Sequence, residues 1–555
     1  MAEQDSYPPI EPTHFDLIVI GTSLPESIIA AAASTTGKTV LHLDPNPFYG
    51  SHYSSLTLHD LTSFLHSPNP NPNLQSNTAT TDTTTAVQLS TRSIYSDIEI
   101  TCFDESINQH SRKFNLDLSG PRVLFCADLT VDLLLKSTAN QYVEFKNIDA
   151  SYVSDENGNL MNVPDSKSAV FKDKTLKFVE KNKLNSFYKL VQGHLEAVKS
   201  IDGVVDDGKI ISDDDLDSPF VVFLDKMKLP AKIKSIILYA IAMVDYDQDV
   251  GESCKDILKT REGIQRLALY HSSVGRFPNA LGALIYPIYG QGELPQAFCR
   301  RAAVKGCLYV LRMPVLSLLL NKESGNIEGV KLVSGQELTS LKVVVDPSFT
   351  ITSSLVNPPL ESLQDVSNLV NVRDVSHKVA RGICITNSSL KPDISNCLVI
   401  FPPKSLYHDQ TTSIRVLQLG SNLAVSPSGM FVLYISVVCD DALEGKKSLR
   451  AVINSLFMVN ASDPTDSIST DPTDSPDEKP TLLWSALYTQ NVIEGSMGPV
   501  VTTPTPDGNL NYNDLLDATS KLFKKLYPDD EFFPDISNTD SSDKLEDDGE
   551  VDPEL

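Results

Sequence analysis

The run Phe15-Asp16-Leu17-Ile18-Val19-Ile20 stops at Gly21 and gives way, within six residues, to Ser27-Ile28-Ile29-Ala30-Ala31-Ala32-Ala33. Few folds accommodate that junction. A short continuous apolar run bounded by glycine predicts a strand buried on both faces, as in a parallel sheet. The alanine-rich stretch predicts a helix ending near Gly37. Pro25 suits its first turn, where a missing N–H costs nothing. Thr39-Val40-Leu41-His42-Leu43-Asp44 predicts a second strand that ends in an acid. Together these make a βαβ unit of dinucleotide-binding type, with Asp44 at the place of a ribose-binding acid.

The turn itself is poor in glycine. In a dinucleotide site the first glycine permits the tight turn, the second lets the pyrophosphate approach the backbone, and the third lets helix and sheet pack closely. Those places hold Gly21, Ser23 and Glu26. Ser23 adds a side chain where close approach is needed. Glu26 sets a carboxylate near a helix N-terminus, where the dipole now favours the acid itself and a diphosphate would be repelled. The expectation is a dinucleotide-type scaffold with a degenerate loop (Gly21, Ser23, Glu26, Asp44) and no cofactor. No GxSxG elbow or HExxH helix occurs elsewhere, and a lone histidine such as His271 is read as structural. On these residues a flavin-dependent oxidoreductase with a looser loop stays open as an alternative.

The remaining pattern predicts an α/β fold class: a dinucleotide-binding domain in several chain segments, with an inserted helical domain. Residues 1–125 form the first part, interrupted at 66–90 by a Pro-, Asn-, Thr- and Ser-rich insertion read as disordered. Residues 126–285 are mainly helical, with helical spacing at 127–136, 177–198 and 231–244 and a solvated acidic insert at 206–217. Residues 286–528 return to the α/β domain, with strands near 308–312, 327–333 and 341–345. A strand-rich stretch follows at 378–440, then a disordered insert at 461–480 that repeats Asp-Pro-Thr-Asp-Ser, and a last helix near 513–526. Residues 529–555 form an acidic tail with 12 acids against one lysine.

The formal net charge of −26 argues against nucleic acid as a partner, because a phosphate backbone calls for a basic surface. The eight cysteines form no CxxC pair, which predicts reduced, mostly buried thiols, a cytosolic setting and no zinc site. No stretch reaches 18 continuous apolar residues, so no spanning helix is expected. The N-terminus does not read as a signal peptide. Asp552-Pro553-Glu554-Leu555 is no prenylation box, so contact with membranes is expected to be transient only.

Two motifs carry a resemblance. Asp44-Pro45-Asn46-Pro47-Phe48-Tyr49-Gly50 and the longer Tyr286-Pro287-Ile288-Tyr289-Gly290-Gln291-Gly292-Glu293-Leu294-Pro295-Gln296-Ala297-Phe298-Cys299-Arg300 resemble the Rab GDP-dissociation inhibitor and Rab escort protein superfamily. The similarity spans most of 15–350 and continues more loosely beyond. The chain length, the inserts, Phe145-Lys146-Asn147-Ile148 and Phe298-Cys299-Arg300 resemble the escort branch.

The resemblance implies a non-catalytic protein related to flavoproteins but without their cofactor. It implies binding of newly made, GDP-bound Rab GTPases and their presentation to the Rab geranylgeranyltransferase α/β heterodimer. It also implies chaperoning of the geranylgeranyl lipid they then carry. Recycling of lipidated Rab by a dissociation inhibitor is the alternative within the superfamily. Carried over by motif, Tyr49, Glu293 and Arg300 resemble the platform residues that face the GTPase, and Phe220 resembles a contact with the transferase. The family's arginine soon after that phenylalanine is missing. Lys226, Lys228, Lys232 and Lys234 stand nearby instead, and lysine does not reproduce a planar fork. A weaker transferase contact, or one that needs the GTPase already bound, is the expectation. The apolar runs 236–243 and 131–135 are candidates for a lipid-covering cleft, and equally for ordinary core.

Overall fold

The computed structural model describes residues 7–66, 84–164, 177–199, 210–249, 255–351, 375–459, 479–493 and 500–534. Its first element is the central strand β1, Leu17–Ile20, whose four residues are all buried. Beside it lie β2 (Val40–Asp44), β3 (Leu308–Leu311), β4 (Val343–Val345) and β5 (Val501–Thr502). All pairings are parallel and the order is β3-β2-β1-β4-β5, the arrangement of an open dinucleotide-binding sheet.

Between β1 and β2 runs helix α1, Leu24–Thr35, buried from Leu24 to Ser34. A helix covered on every side needs small residues for its neighbours to approach, which the four alanines at 30–33 supply. The described helices that follow include α2 (Leu129–Ser137), α3 (Phe178–Lys199), α4 (Phe220–Lys226), α5 (Ala231–Ser235), α6 (Thr260–Ser273), α7 (Glu293–Val304) and α8 (Asn513–Leu526). Helices α7 and α8 pack on α1, and Leu294, Phe298, Leu515 and Phe523 join its core.

A second, eight-stranded sheet is mainly antiparallel and centres on the strand Val375–Thr386, paired along its length with Phe431–Cys439 and Leu482–Ile493. One face packs against α4, α5 and α6; the other is covered by the helix Ala442–Leu456. A third, five-stranded antiparallel sheet covers the remaining face of the parallel sheet.

Several segments differ from expectation. Residues 84–90, assigned to the disordered insertion, lie in a strand, Thr84–Thr91, with Val87 and Leu89 buried. Val87 and Leu89 alternate with Gln88 and Ser90, a half-buried strand pattern, and the flanking Thr84, Thr85 and Thr91 are strand formers. In the acidic insert, Asp213–Asp217 is a short helix, with the Ser212 hydroxyl accepting from the Asp215 N–H. At the start of the acidic tail, Phe533 is buried against Phe298. Residues 67–83, 206–209, 461–478 and 535–555 of the four inserts lie outside the described residues. Within 126–285, the short strands Phe145–Asn147, Ala150–Ser154 and Leu160–Asn162 were not foreseen. Helix α2 packs on α8 and shares the buried cluster of α1 and α7. Among the described residues no helix is long and apolar enough to cross a membrane.

Candidate functional site

The cofactor turn is occupied by the chain's own side chains. Asp44, at the end of β2, is fully buried and accepts four hydrogen bonds. The Asn46 N–H reaches Oδ1 (2.7 Å), and the Thr22 N–H (2.9 Å), Thr22 Oγ1–H (2.6 Å) and Ser51 Oγ–H (2.9 Å) all reach Oδ2. Ser23 donates to Asp346 Oδ2 (3.3 Å) and accepts the His52 N–H (3.3 Å). His52 Nε2 lies 3.2 Å from Asp346 Oδ1. A Cβ at Gly21 would come within 2.6 Å of the Asp346 Cβ. The open space beside this cluster is a cavity of ≈110 Å³, well below the ~300–1,000 Å³ of usual ligand sites. The residues present therefore do not fit a dinucleotide. The acid that would hold a ribose is saturated, and three buried carboxylates (Glu26, Asp44, Asp346) surround the place of the phosphates.

Glu26 acts by occupancy more than by charge. It is completely buried in the first turn of α1, where it accepts a hydrogen bond from Thr503 Oγ1, and its second oxygen has no partner among the described residues. Burial first, and the Asp346 carboxylate second, push its pKa well above the ordinary glutamate value. Burial, the largest single effect, would also raise Asp346, but the adjacent His52 and the hydrogen bonds from Ser348 together outweigh it and hold the group low. A carboxyl whose folded pKa is raised supports stability below its unfolded pKa, and that support is lost as the pH climbs through the folded value. Glu26→Gln is therefore expected to match wild type near pH 4.5. Its advantage should grow to about 1 kcal/mol or more at pH 8, since one pKa unit is worth ~1.4 kcal/mol. Urea melts across that pH range check this; an advantage that shrinks with pH contradicts the assignment.

Just beyond the filled turn, the chain presents Tyr49. Its ring is half-buried and meets Tyr309 of β3 edge-on at 6.0 Å, and Tyr309 in turn lies 4.8 Å from His42. The His42 Nε2–H donates to the Gly21 carbonyl. Burial lowers the ring's pKa to about 4, so this imidazole is neutral at physiological pH. Burial also raises the Tyr49 hydroxyl, helped by the nearby Cys299 thiol of α7 and by Asp44.

Helix α7 begins at Glu293, and Leu294-Pro295-Gln296 complete its first turn. Glu293 is half-buried, accepts from Gln296 Nε2 (3.2 Å) and is raised by burial, an effect that Arg300 partly offsets. Arg300, two turns on, is exposed. Glu293 and Arg300 thus share one face of α7. Tyr49 meets that helix beside Cys299. Val304, one turn beyond Arg300 and exposed, lengthens the face with an apolar end; the i, i+4 spacing is its sequence signal.

Sequence reasoning missed what holds this helix start in place. Asp117 is buried and accepts from Ser55 Oγ–H (2.6 Å), the Gln291 N–H (2.9 Å) and Tyr286 O–H. Ser55 Oγ accepts the Gly292 N–H (2.8 Å). Burial lifts Asp117 to about 6 against the pull of these donors. No motif marks Asp117: it lies between two leucines, 174 residues from Gln291.

The remaining expected contacts are not brought to the surface. Phe220 opens α4 but is fully buried. Gly263 of α6 lies so close that a Cβ there would sit 2.5 Å from the Phe220 ring. In this structure Phe220 is core and not an available anchor; Val222 is the exposed apolar residue of α4. Of the nearby lysines, Lys226 pairs with Asp215 and Lys234 with Asp225. The two apolar runs also part company. Val131 and Leu134 pack with α1, while 236–243 pack against the large sheet, so they do not line one cleft.

Fold and site together define a protein of dinucleotide-binding architecture whose cofactor turn is closed by its own side chains. The family model described as "GDP dissociation inhibitor" matches residues 11–79 and 74–465. The chain is 52% identical to Rab escort protein 1 of Arabidopsis thaliana, over 100% of both chains. It is 28% identical to the Rab proteins geranylgeranyltransferase component A of Drosophila melanogaster, over 94% of this chain and 90% of that one. The crystal structure of a Rab GDI from Plasmodium falciparum shares the fold, with a TM-score of 0.66 at 19% identity, covering 93% of this chain and 99% of the other. The chain belongs to the GDP dissociation inhibitor family, in its Rab escort protein branch.

Proposed function

We propose that this chain is a non-catalytic escort: it binds Rab GTPases and serves as the accessory component that presents them to Rab geranylgeranyltransferase in the cytosol. The observation that carries this is the closed cofactor turn beside a solvent-facing row of groups suited to a protein partner. Tyr49 offers broad apolar area with a polar tip, and Arg300 a planar fork for a carboxylate on the GTPase. Glu293, held at the helix start, orients the row. The family relationship supports the same reading: one relative is a Rab escort protein and another a Rab geranylgeranyltransferase component A.

Keeping a lipidated product soluble demands apolar cover, at ~0.8 kcal/mol for each buried CH₂. The apolar gap between α3 and the turn Ile236–Ile241, lined by Leu184, Tyr188, Ile233 and Ile237, suits that chemistry. Its volume is only ≈10 Å³, so α3 must move away before a lipid chain can enter.

Purified transferase and an unmodified, GDP-bound Rab provide the test. Adding the chain should stimulate geranylgeranyl transfer; no stimulation favours the dissociation-inhibitor alternative. Tyr49→Ala and Arg300→Ala should each weaken Rab binding by ~2 kcal/mol, roughly 30-fold, as expected for centrally placed interface groups. Wild-type affinity in both variants refutes this placement of the platform.

A further inference from the structure

We propose that Thr22, in the degenerate turn, and Asp44, at the place of a ribose-binding acid, serve here as positioning residues that hold Tyr49 toward the GTPase. The inference rests on the platform reading of Tyr49 given above.

The residues between Asp44 and Ser51 form an irregular loop, with no ladder to fix it. Its backbone is fixed from within by side chains. Asp44 Oδ1 accepts the Asn46 N–H at the loop's start, and Asp44 Oδ2 accepts the Ser51 hydroxyl at its end. Thr22 supplies the middle link. Its hydroxyl donates to Asp44 Oδ2 and accepts the Gly50 N–H at 2.9 Å, which is the peptide N–H immediately after Tyr49. The Thr22 N–H, in the turn ahead of α1, is shared between Asp44 and Ser51 Oγ (3.1 Å).

A second route converges on the same ring. The Gly21 carbonyl accepts from His42, His42 lies against Tyr309, and Tyr309 meets Tyr49 edge-on. Backbone and ring of Tyr49 are thus both tied to the two residues that open the turn. These bonds order the loop in advance, and loop ordering is a cost that binding must otherwise bear. The acid at the end of β2 accordingly has a use without any ribose to bind.

The test is a set of double-mutant cycles, with affinity for a GDP-bound Rab measured by fluorescence titration of the full chain. Thr22→Val removes the hydroxyl at nearly constant shape and should weaken binding about tenfold, the order expected when a buried hydrogen-bonded link is lost. Thr22→Ser keeps the hydroxyl and should stay within about twofold of wild type. The effect should vanish in a Tyr49→Ala background and persist in an Arg300→Ala background, because coupling is confined to groups that share partners. A merely structural role would cost affinity equally in both backgrounds, and that result overturns the proposal. So does wild-type affinity for Thr22→Val beside a clear loss for Tyr49→Ala. If Tyr49→Ala itself binds normally, the platform reading fails and this one with it. Should Thr22→Val not fold, Ser51→Ala removes one donor to Asp44 and carries the same cycles, with about a threefold loss expected and the same overturning outcomes.

Discussion

Gly290→Ala should lower stability by roughly 3 kcal/mol and abolish Rab binding at concentrations that saturate the wild type. Two costs combine. The backbone at Gly290 has φ 106°, in the region that side-chain-bearing residues enter only at a cost of about 1–2 kcal/mol. The space is also taken: a Cβ would lie 2.4 Å from Ser55 Oγ and 2.7 Å from Asp117 Oδ1, and overpacking of that kind adds about 1–3 kcal/mol. The atoms it strikes are those that accept the Gln291 and Gly292 N–H groups, so relief by movement of Ser55 or Asp117 unfastens the start of α7 and with it Glu293. Gly37→Ala is the control. Gly37 also has a positive φ, 81°, but nothing lies within 4 Å of the added carbon, and the site follows the C-terminal end of α1. It should lose about 1 kcal/mol and keep its affinity for Rab. Denaturant midpoints and a Rab titration on both variants decide the matter. Equal loss of affinity in the two would mean that general stability, and not the Asp117 clamp, supports the platform.

That clamp also marks the limit of what the sequence makes legible. The opening unit is visible because its signals are local: an apolar run, one glycine, a run of alanines and an acid at the next strand end. Asn513–Leu526 is likewise found at its expected bounds from periodicity alone. The platform residues are legible only as parts of motifs, since nothing about Glu293 or Arg300 by itself separates an interface pair from the flank of a core helix. Asp117 and Ser55 carry no local signal, because their role exists only once distant segments meet. The strand Thr84–Thr91 was hidden by counting threonine as loop-like polar composition, when its branched side chain suits a pleated, half-buried surface. Phe220 is a different failure. The apolar run around it is equally compatible with an anchor and with core, and the deciding residue, Gly263, lies on another helix.

Arg381→Leu should be at least as damaging as the glycine change, at about 3–5 kcal/mol, although Arg381 touches no partner. Arg381 stands in the middle of the large sheet, 1% exposed, and its guanidinium is spread over three segments. Nε–H donates to Gln490 Oε1 (2.6 Å), Nη1–H to the Gly120 carbonyl (2.9 Å) and Nη2–H to the Asp507 carbonyl (2.7 Å). Leucine leaves the Gln490 and Gly120 acceptors buried without this donor and takes from the Asp507 carbonyl the nearer of its two donors, the other being Arg122 Nη2–H at 3.2 Å; each lost bond is worth about 1–3 kcal/mol, with partial relaxation setting the net loss. Lysine cannot reach three directions from one ammonium, so Arg381→Lys should recover little. The segment fastened through Asp507 carries Thr503, which donates to Glu26, and leads on to α8, which packs on α1. The segment fastened through Gly120 carries Asp117, whose N–H donates to Tyr434 of the same sheet at 2.9 Å. One buried cation therefore ties the large sheet to both the filled cofactor turn and the platform clamp. Hydrogen exchange should show the consequence as faster exchange at 501–509 and at Gln291 and Gly292 together. Loss of protection confined to 501–509 would separate the two sites and mean that Tyr434, Ser55 and Tyr286 hold Asp117 without Arg381.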